Sequence, residues 1–419
     1  MIQSHICTIG DELLIGQITD SNAAFIAGEL NKTGVMVTQI HSVGDRKEAI
    51  WKLLDESLQQ ADLLVLTGGL GPTRDDITKN TLAFYTGSSR FYRSEAQETH
   101  IVDIFEKRGR MLLEIDRKQA DVPETCKVIE NKLGTAPGMW FDYKGKVIVS
   151  LPGVPYEMEG IFPLVTQAIQ HHFSTSLSPI IHQNIATFGI PESALAHKIA
   201  DWERALPSEL RLAYLPNPCS GVRLRMSCYD IQGGSQLIEQ AINNLKPILG
   251  NSVYSLSDQS LAEVVGALLI QEEATVATAE SCTGGKIAAM LTAQAGASAY
   301  YLGSILAYHN RIKEELLEVP ADLLHQYGAV CSECVEAMAQ GAKKRFGADF
   351  AVATSGIAGP SGGSLEKPVG TLWVAVATPQ KCTAQKFVFS GNRLINIDRF
   401  AAAALNMLRL SILETTTYK

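Results

Sequence analysis

Along about the first 170 residues, short apolar runs rich in β-branched side chains alternate with stretches whose apolar positions recur at helical spacing. The pattern predicts a strand at 6–9, a helix at 22–30, a strand at 35–43, a helix at 47–61 and a strand at 63–67. Such alternation builds parallel βα units, because each crossover helix packs back on the sheet it leaves. Gly10, Gly44 and Gly68 punctuate the strand ends, and ligands in sheets of this kind sit at the carboxyl ends of strands. A polar stretch at 171–179 interrupts the rhythm. From about 180 to 254 the pattern reads strand 183–188, helix 192–203, strand 211–215, turn 216–221, strand 222–229 and helix 235–249. This is a small α+β unit without a cluster of titratable groups. A third block opens with an amphipathic helix at 261–271 and a strand at 275–279. No period of 20 to 50 residues recurs, which excludes solenoids and propellers. The expected organisation is α/β in three domains, at 1–170, 171–254 and 255–419.

A length of 419 residues supports that division, since single cores rarely grow beyond about 250 residues. With 46% hydrophobic and 19% charged residues, each domain can bury a core. The 36 Lys and Arg against 44 Asp and Glu leave a net charge of −8, the wrong sign for a surface that tracks a phosphate backbone. Nucleic acid is therefore not expected as the main partner. No run approaches the roughly 18 apolar residues of a membrane span, and the start lacks the features of a secretory leader, so a cytoplasmic protein is expected. The eight cysteines are scattered, which fits reduced thiols. Cys331 and Cys334 form a lone C-x-x-C on an amphipathic helix, with no second pair to complete a zinc site.

The third block carries the most chemistry. Ala279-Glu-Ser-Cys-Thr-Gly-Gly-Lys runs from a strand into a helix at 286–293 and places Ser281, Cys282 and Thr283 at the junction. A hydroxyl there would be stabilised as an anion by the free N–H groups of the helix, and Gly284 and Gly285 would let a ligand approach the backbone. Alternatively, Ser281 or Thr283 only caps the helix. Tyr308 ends the apolar run 300–308 and Lys313 lies five residues on, a Ser-Lys arrangement in which burial would have to lower the lysine pKa. Taken alone, Ile312-Lys-Glu-Glu-Leu-Leu-Glu puts Lys313 on a solvated face, and His309 as base or Cys282 as nucleophile stay open. A strand at 350–354 feeds Gly356-Ile-Ala-Gly-Pro-Ser-Gly-Gly, followed by Lys367-Pro-Val-Gly; these glycines suit an anion, and Arg393 could clamp it.

Together, Ala279-Glu-Ser-Cys-Thr-Gly-Gly, Tyr308, Lys313, Gly328-Ala-Val, Gly356-Ile-Ala-Gly-Pro, Lys367-Pro-Val-Gly-Thr and Gly391-Asn-Arg resemble the C-terminal domain of the competence/damage-inducible protein A (CinA) family. That family includes nicotinamide mononucleotide amidohydrolases. The resemblance implies that Ser281 attacks the carboxamide while Lys313 and Tyr308 handle the proton, releasing ammonia and nicotinate mononucleotide without a cofactor. It implies substrate contacts from Thr283, Gly284, Gly285, Gly356, Gly359, Lys367 and Arg393. One departure is visible: the family usually has Gly-Ala-Val-Ser where this chain has Cys331, with Ser332 next.

In the first block, Thr67-Gly-Gly-Leu-Gly-Pro-Thr-Arg-Asp-Asp-Ile-Thr follows a strand and precedes a helix. Gly68, Gly69 and Gly71 allow backbone to approach a ligand, with Thr73 beside them, and Asp75 and Asp76 bring carboxylates to the edge where Gly10-Asp-Glu places Asp11 and Glu12. Hard oxygen donors of this kind suit a divalent cation; otherwise the acids cap helices. These motifs, with Asn131, Gly134-Thr-Ala-Pro-Gly and Leu151-Pro-Gly-Val-Pro-Tyr-Glu-Met, resemble the molybdopterin-binding fold, and more closely the N-terminal domain of the CinA family. That implies an ADP-ribose pyrophosphatase yielding AMP and ribose 5-phosphate, with Asp11, Asp75 and Asp76 on the metal (Mg, Mn or Co), Asp76 also catalytic, and a homodimer. Molybdopterin binding is the alternative, and so is a nucleotide-sensing role with one or both sites inactive. The middle block resembles the KH-like domain of full-length members but lacks the G-x-x-G clamp, which makes it a spacer or dimerisation element.

Overall fold

In the computed structural model the chain is described throughout except at positions 74, 75, 179, 218, 220, 230–232, 418 and 419. It divides into two compact units, Met1–Ile181 with Cys228–Gly234, and His182–Ser227 with Ser235–Lys419.

The first unit contains strands β1 (Ile2–Ile9), β2 (Val35–Val43), β3 (Leu63–Thr67), β4 (Phe91–Arg93), β5 (Asp121–Pro123), β6 (Cys126–Ile129), β7 (Gly138–Tyr143) and β8 (Lys146–Leu151). Six of them form one sheet in the order β2-β1-β3-β8-β7-β6, while β4 pairs with β5. β1 lies parallel to β2 and β3, and β3 to β8, with β7 and β6 antiparallel at the edge. Side chains of a strand alternate between faces. Leu63 and Val65 accordingly pack with Ile26, Leu30, Phe162 and Val165 of the helices Ser21–Thr33 and Pro155–His172, while Leu64 and Leu66 pack with Ile50, Leu54 and Leu82 on the other face. Because β1 leads outward to β2 on one side and has β3 on the other, the chain reverses direction between β1 and β3. A crevice opens outside the carboxyl ends of strands at such a reversal.

The second unit begins with a four-stranded sheet, β10-β11-β9-β12, built from β9 (Ile180–Thr187), β10 (Leu210–Asn217), β11 (Gly221–Tyr229) and β12 (Val253–Ser255). Helices Glu192–Arg204 and Gly234–Leu249 complete this part, Trp202 donating its indole N–H to Ala241 O at 3.0 Å. A five-stranded sheet follows, ordered β14-β13-β15-β16-β17: β13 (Val276–Glu280), β14 (Tyr301–Leu306), β15 (Phe350–Gly356), β16 (Thr371–Ala377) and β17 (Cys382–Val388). The strand β13 is interior, second from the edge, and parallel to both neighbours. On one face Val352, Leu372, Val374 and Val376 meet the helices Leu261–Gln271 and Arg393–Thr417. On the other, Ala351, Ala353, Ala375 and Ala377 admit the helix Ser332–Phe346. Among the described residues no helix is long and apolar enough to cross a membrane.

Candidate active sites

The strand β13 delivers Glu280 and Ser281 to the carboxyl edge of its sheet, where the chain turns into the helix Lys286–Thr292. The free N–H groups expected to face Ser281 are occupied. Glu280, wholly buried, accepts from Gly285 N at 3.0 Å, Ile287 N at 3.1 Å and Ala288 N at 2.8 Å. A carboxylate at a helix N-terminus is favoured by the orphan N–H groups and the dipole together. Neither Ser281 nor Thr283 caps this helix, and Thr283 Oγ1 instead pairs with Thr354 Oγ1 at 2.8 Å inside the fold. Glu280 thereby ties the loop down. Replacing Glu280 with Ala leaves three N–H groups unpaired, and at about 1–3 kcal/mol for each such loss the protein is expected to be destabilised by at least about 3 kcal/mol. An unchanged urea midpoint would contradict this.

Lys313 is the cationic side chain nearest the Ser281 hydroxyl among the described residues. It lies in the first turn of the helix Asn310–Leu317 and is only 1% exposed, not on a solvated face. Its Nζ lies 3.2 Å from Ser281 Oγ, and donates to Ala307 O at 2.7 Å and Tyr308 O at 3.2 Å. A neutral amine that kept both N–H bonds to these carbonyls would turn its lone pair to the serine hydroxyl. Burial lowers the lysine pKa, with Cys334 and Cys282 opposing. Ser281 is 9% exposed at the floor of a cleft of about 190 Å³ whose walls include Tyr308, Asn310, Ser355, Gly356 and Arg393.

The alternatives fare less well. His309 caps the helix Asn310–Leu317, its Nδ1 accepting from Arg311 N at 3.2 Å. Cys282 is buried, and burial pushes its thiol up to about 12. The hydroxyl of Tyr308 bonds Arg393 rather than the Ser281–Lys313 pair, and it is the Tyr308 carbonyl that holds the lysine. Of the expected substrate contacts, Gly356 and Arg393 line the cleft, while Thr283, Gly284, Gly285, Gly359 and Lys367 do not. Gly359 O accepts from Arg393, and Lys367 Nζ donates to Tyr327 O at 2.8 Å. Cys331, at the family's serine position, caps the helix Ser332–Phe346 by accepting from Cys334 N, so sulfur does the work of the hydroxyl.

In the first unit a cleft of about 870 Å³ opens at the carboxyl ends of β1 and β3. Gly68, at φ +111°, sits so close to β1 that a Cβ would meet Ile9 O at 2.1 Å, which requires glycine there. Gly69 and Gly71 also line the cleft, as do Asp11, Glu12, Asp20, Asp45, Asp76 and Asn22. Asp45 Oδ2 accepts from Asp11 N at 3.0 Å. Its carboxyl is nonetheless held above the ordinary range, by burial first and then by the charges of Glu12, Asp11 and Asp76. Asp20 caps the helix Ser21–Thr33 with one oxygen and accepts from Thr8 Oγ1 with the other. Thr73 binds Asp76 through both its N–H and its hydroxyl, at 2.8 and 2.6 Å, and does not line the cleft. Asp75 lies outside the described residues.

Asp45 and Asp20 were not singled out from the sequence. Gly44-Asp45 nevertheless repeats the Gly-Asp step of Gly10-Asp11 at a strand end, a usable signal. The crowding of carboxylates, and two buried oxygens without partners among the described residues, Asn22 Oδ1 and Thr78 Oγ1, fit a hard divalent cation by donor type. Among the described residues, however, no three His, Cys, Asp or Glu side chains already converge as a ligand set.

A CinA-like protein of Cytophaga hutchinsonii is 45% identical over 416 residues, spanning 99% of both chains. The chain belongs to the CinA family. Another member, the CinA-like protein of Flavobacterium psychrophilum, is 38% identical over 418 residues, covering 99% of each. Three domain models match in order: "Probable molybdopterin binding domain" at 5–171, "Damage-inducible protein CinA KH domain" at 182–255 and "CinA C-terminal domain" at 258–412. The crystal structure of competence damage-inducible protein A from Klebsiella pneumoniae is 35% identical over 36% of this chain and 95% of its own, with a TM-score of 0.36. The CinA chain is thus mixed α/β, with a molybdopterin-binding-like first domain, a KH-like middle domain and a CinA C-terminal domain.

Proposed function

We propose that the C-terminal domain is an amidohydrolase that converts nicotinamide mononucleotide to nicotinate mononucleotide and ammonia. The observation that carries the reading is the buried Lys313 Nζ, 3.2 Å from Ser281 Oγ. Lys313 takes the proton of the Ser281 hydroxyl as Oγ bonds to the carboxamide carbon. The C–N bond then breaks, and ammonia leaves with the proton returned by Lys313. Water, deprotonated by the same amine, cleaves the acyl–serine ester and restores Ser281. The test separates the neighbouring nucleophiles: Cys282→Ala is expected to keep ammonia release within about threefold of the unmodified protein, because a buried thiol at about 12 is almost never a thiolate near neutrality. Loss of activity in Cys282→Ala with activity retained in Ser281→Ala would transfer the role to sulfur.

For the first domain we propose hydrolysis of ADP-ribose to AMP and ribose 5-phosphate with a divalent metal, Mg, Mn or Co. The acid-lined cleft outside β1 and β3 favours this over a purely structural role for the acids, since Asp45 is crowded by three further carboxylates. Of the expected ligands Asp11 and Asp76 line this cleft, and with Glu12 and Asp45 they would have to draw together to hold the metal, which when bound would neutralise phosphoryl oxygens. The KH-like domain is proposed as a spacer or dimerisation element of a homodimer whose ligands are small nucleotides rather than nucleic acid.

A further inference from the structure

Cys331 and Cys334 stand at the start of the helix Ser332–Phe346, one at the N-cap and the other in the first turn, and both are free thiols. The backbone at Cys331 is extended (φ −153°, ψ 167°), and its Sγ lies over that turn, accepting from Cys334 N at 3.4 Å. Residues three apart across one helical turn have Cα atoms within the roughly 4.4–6.8 Å that a disulfide bridges. Cys334 Sγ lies 3.9 Å from Met338 Sδ, a weak contact that is readily given up. Among the described residues no third His, Cys, Asp or Glu converges with the pair, which argues for sulfur–sulfur chemistry over a metal.

The pair adjoins the amidase cleft. Ala329 and Val330, just before Cys331, line its wall, and Ser355 Oγ donates to Ala329 O at 2.6 Å. Cys331 Sγ donates to Gly328 O at 3.3 Å, so one thiol ties this wall to the start of the helix. Cys334 is wholly buried in the apolar cluster that includes Ile305, Ala307 and Leu317. Its helix packs against Asn310–Leu317, the helix that carries Lys313, and its thiol is close enough to bear on the charge of that lysine.

Resting on the amidase reading above, we propose that Cys331 and Cys334 form a modification site, oxidised by a hydroperoxide to a disulfide that lowers ammonia release and reopened by a dithiol. Cys331 is the attacking sulfur, being 8% exposed against 0% for Cys334 and standing at a helix N-terminus, where N–H groups favour a thiolate. With hydrogen peroxide, Sγ bonds to one oxygen as the O–O bond breaks, leaving a sulfenic acid and one water. The Cys334 sulfur then attacks Cys331 Sγ, the S–S bond forms, the S–O bond breaks and a second water leaves. Two thiols are oxidised and one peroxide is reduced, with both thiol protons ending in water. Burial raises both thiols, Cys334 up to about 12, so the bridge closes slowly and answers sustained oxidation. Closure consumes the S–H that holds Gly328 O and draws Cys334 toward the N-cap. The wall at 328–330 and the helix contact behind Lys313 then both shift.

The test treats the full-length protein with hydrogen peroxide and then with dithiothreitol, reading peptide masses and ammonia release from nicotinamide mononucleotide. The peptide carrying both cysteines is expected to become two hydrogens lighter as ammonia release falls by about tenfold, within the range of coupling between distinct sites, and the dithiol should reverse both. Cys331→Ser keeps a hydroxyl cap, so it should work at the unmodified rate when reduced and hold that rate in peroxide. Cys334→Ala should likewise resist peroxide, and thermal melting of both variants reports folding. Peroxide that leaves the pair reduced, or links either sulfur to a third cysteine, overturns the site. A bridge that leaves ammonia release unchanged, or a Cys331→Ser variant inactivated as fully as the unmodified protein, overturns its control of the amidase. Reduced protein that releases no ammonia refutes the amidase reading and that control with it, a failure kept separate because the bridge is read by mass alone.

Discussion

Replacing Ser281 with Ala is expected to reduce ammonia release from nicotinamide mononucleotide by at least about a thousandfold, and Lys313→Met by a similar factor. The double variant should be hardly worse than either single one, because the two side chains act as a unit across their 3.2 Å contact. Lys313→Arg should not rescue, since a guanidinium does not surrender its proton near neutrality. The pH profile carries the same information. Only the neutral amine accepts the serine proton, and burial lowers the Lys313 pKa from 10.5. The rate should therefore rise with pH along a limb centred below 10.5. Burial disfavours the ammonium in the folded state, so this lysine also makes stability rise with pH between its lowered pKa and 10.5. A flat profile, or a Lys313→Met variant with a near-native rate measured by ammonia detection, would remove the dyad.

The loop around Ser281 was legible because a strand, a polar junction and two glycines leave a local signature. The base was not. Ile312-Lys-Glu-Glu-Leu-Leu-Glu has the composition of a solvated helix, and Lys313 is buried because that helix packs against the helix Ser332–Phe346, with Ala307 and Tyr308 supplying carbonyls just beyond the end of β14. That environment depends on the order β14-β13-β15, which no local pattern encodes. The helix cap was hidden for a related reason: Ser281 and Thr283, the alternative caps, have the usual N-cap residue types, whereas the carboxylate that satisfies the helix is Glu280, still on the strand. In the first domain the parallel βα pattern predicted where the cleft would open. It did not show that Asp20 and Asp45 share it with Asp11, because sheet order brings the ends of β1 and β2 side by side.

Removing divalent metal is expected to abolish AMP formation from ADP-ribose, and restoring it to recover the activity. The argument starts from charge. Asp11, Glu12, Asp45 and Asp76 share one cleft, and their mutual repulsion, after burial, holds the Asp45 carboxyl above the ordinary range. A pyrophosphate brings further negative charge to these groups, and in a protein of net charge −8 the overall field does not help it in. On the proposed reading a divalent cation would offset the repulsion, and Mg, Mn and Co are the candidates to titrate after chelation. Asp45→Asn and Asp76→Ala should each lower the metal-restored rate by about tenfold to a hundredfold, the range for weakened metal sites. Each should also reduce the rise in melting temperature that a divalent cation confers on the folded protein. Ammonia release should be unaffected by the chelator, since no step of the proposed Ser281–Lys313 mechanism uses a metal. AMP formation that persists at full rate in chelator, read by chromatography, would show that these carboxylates hold no catalytic metal and would leave them as helix caps and loop ties.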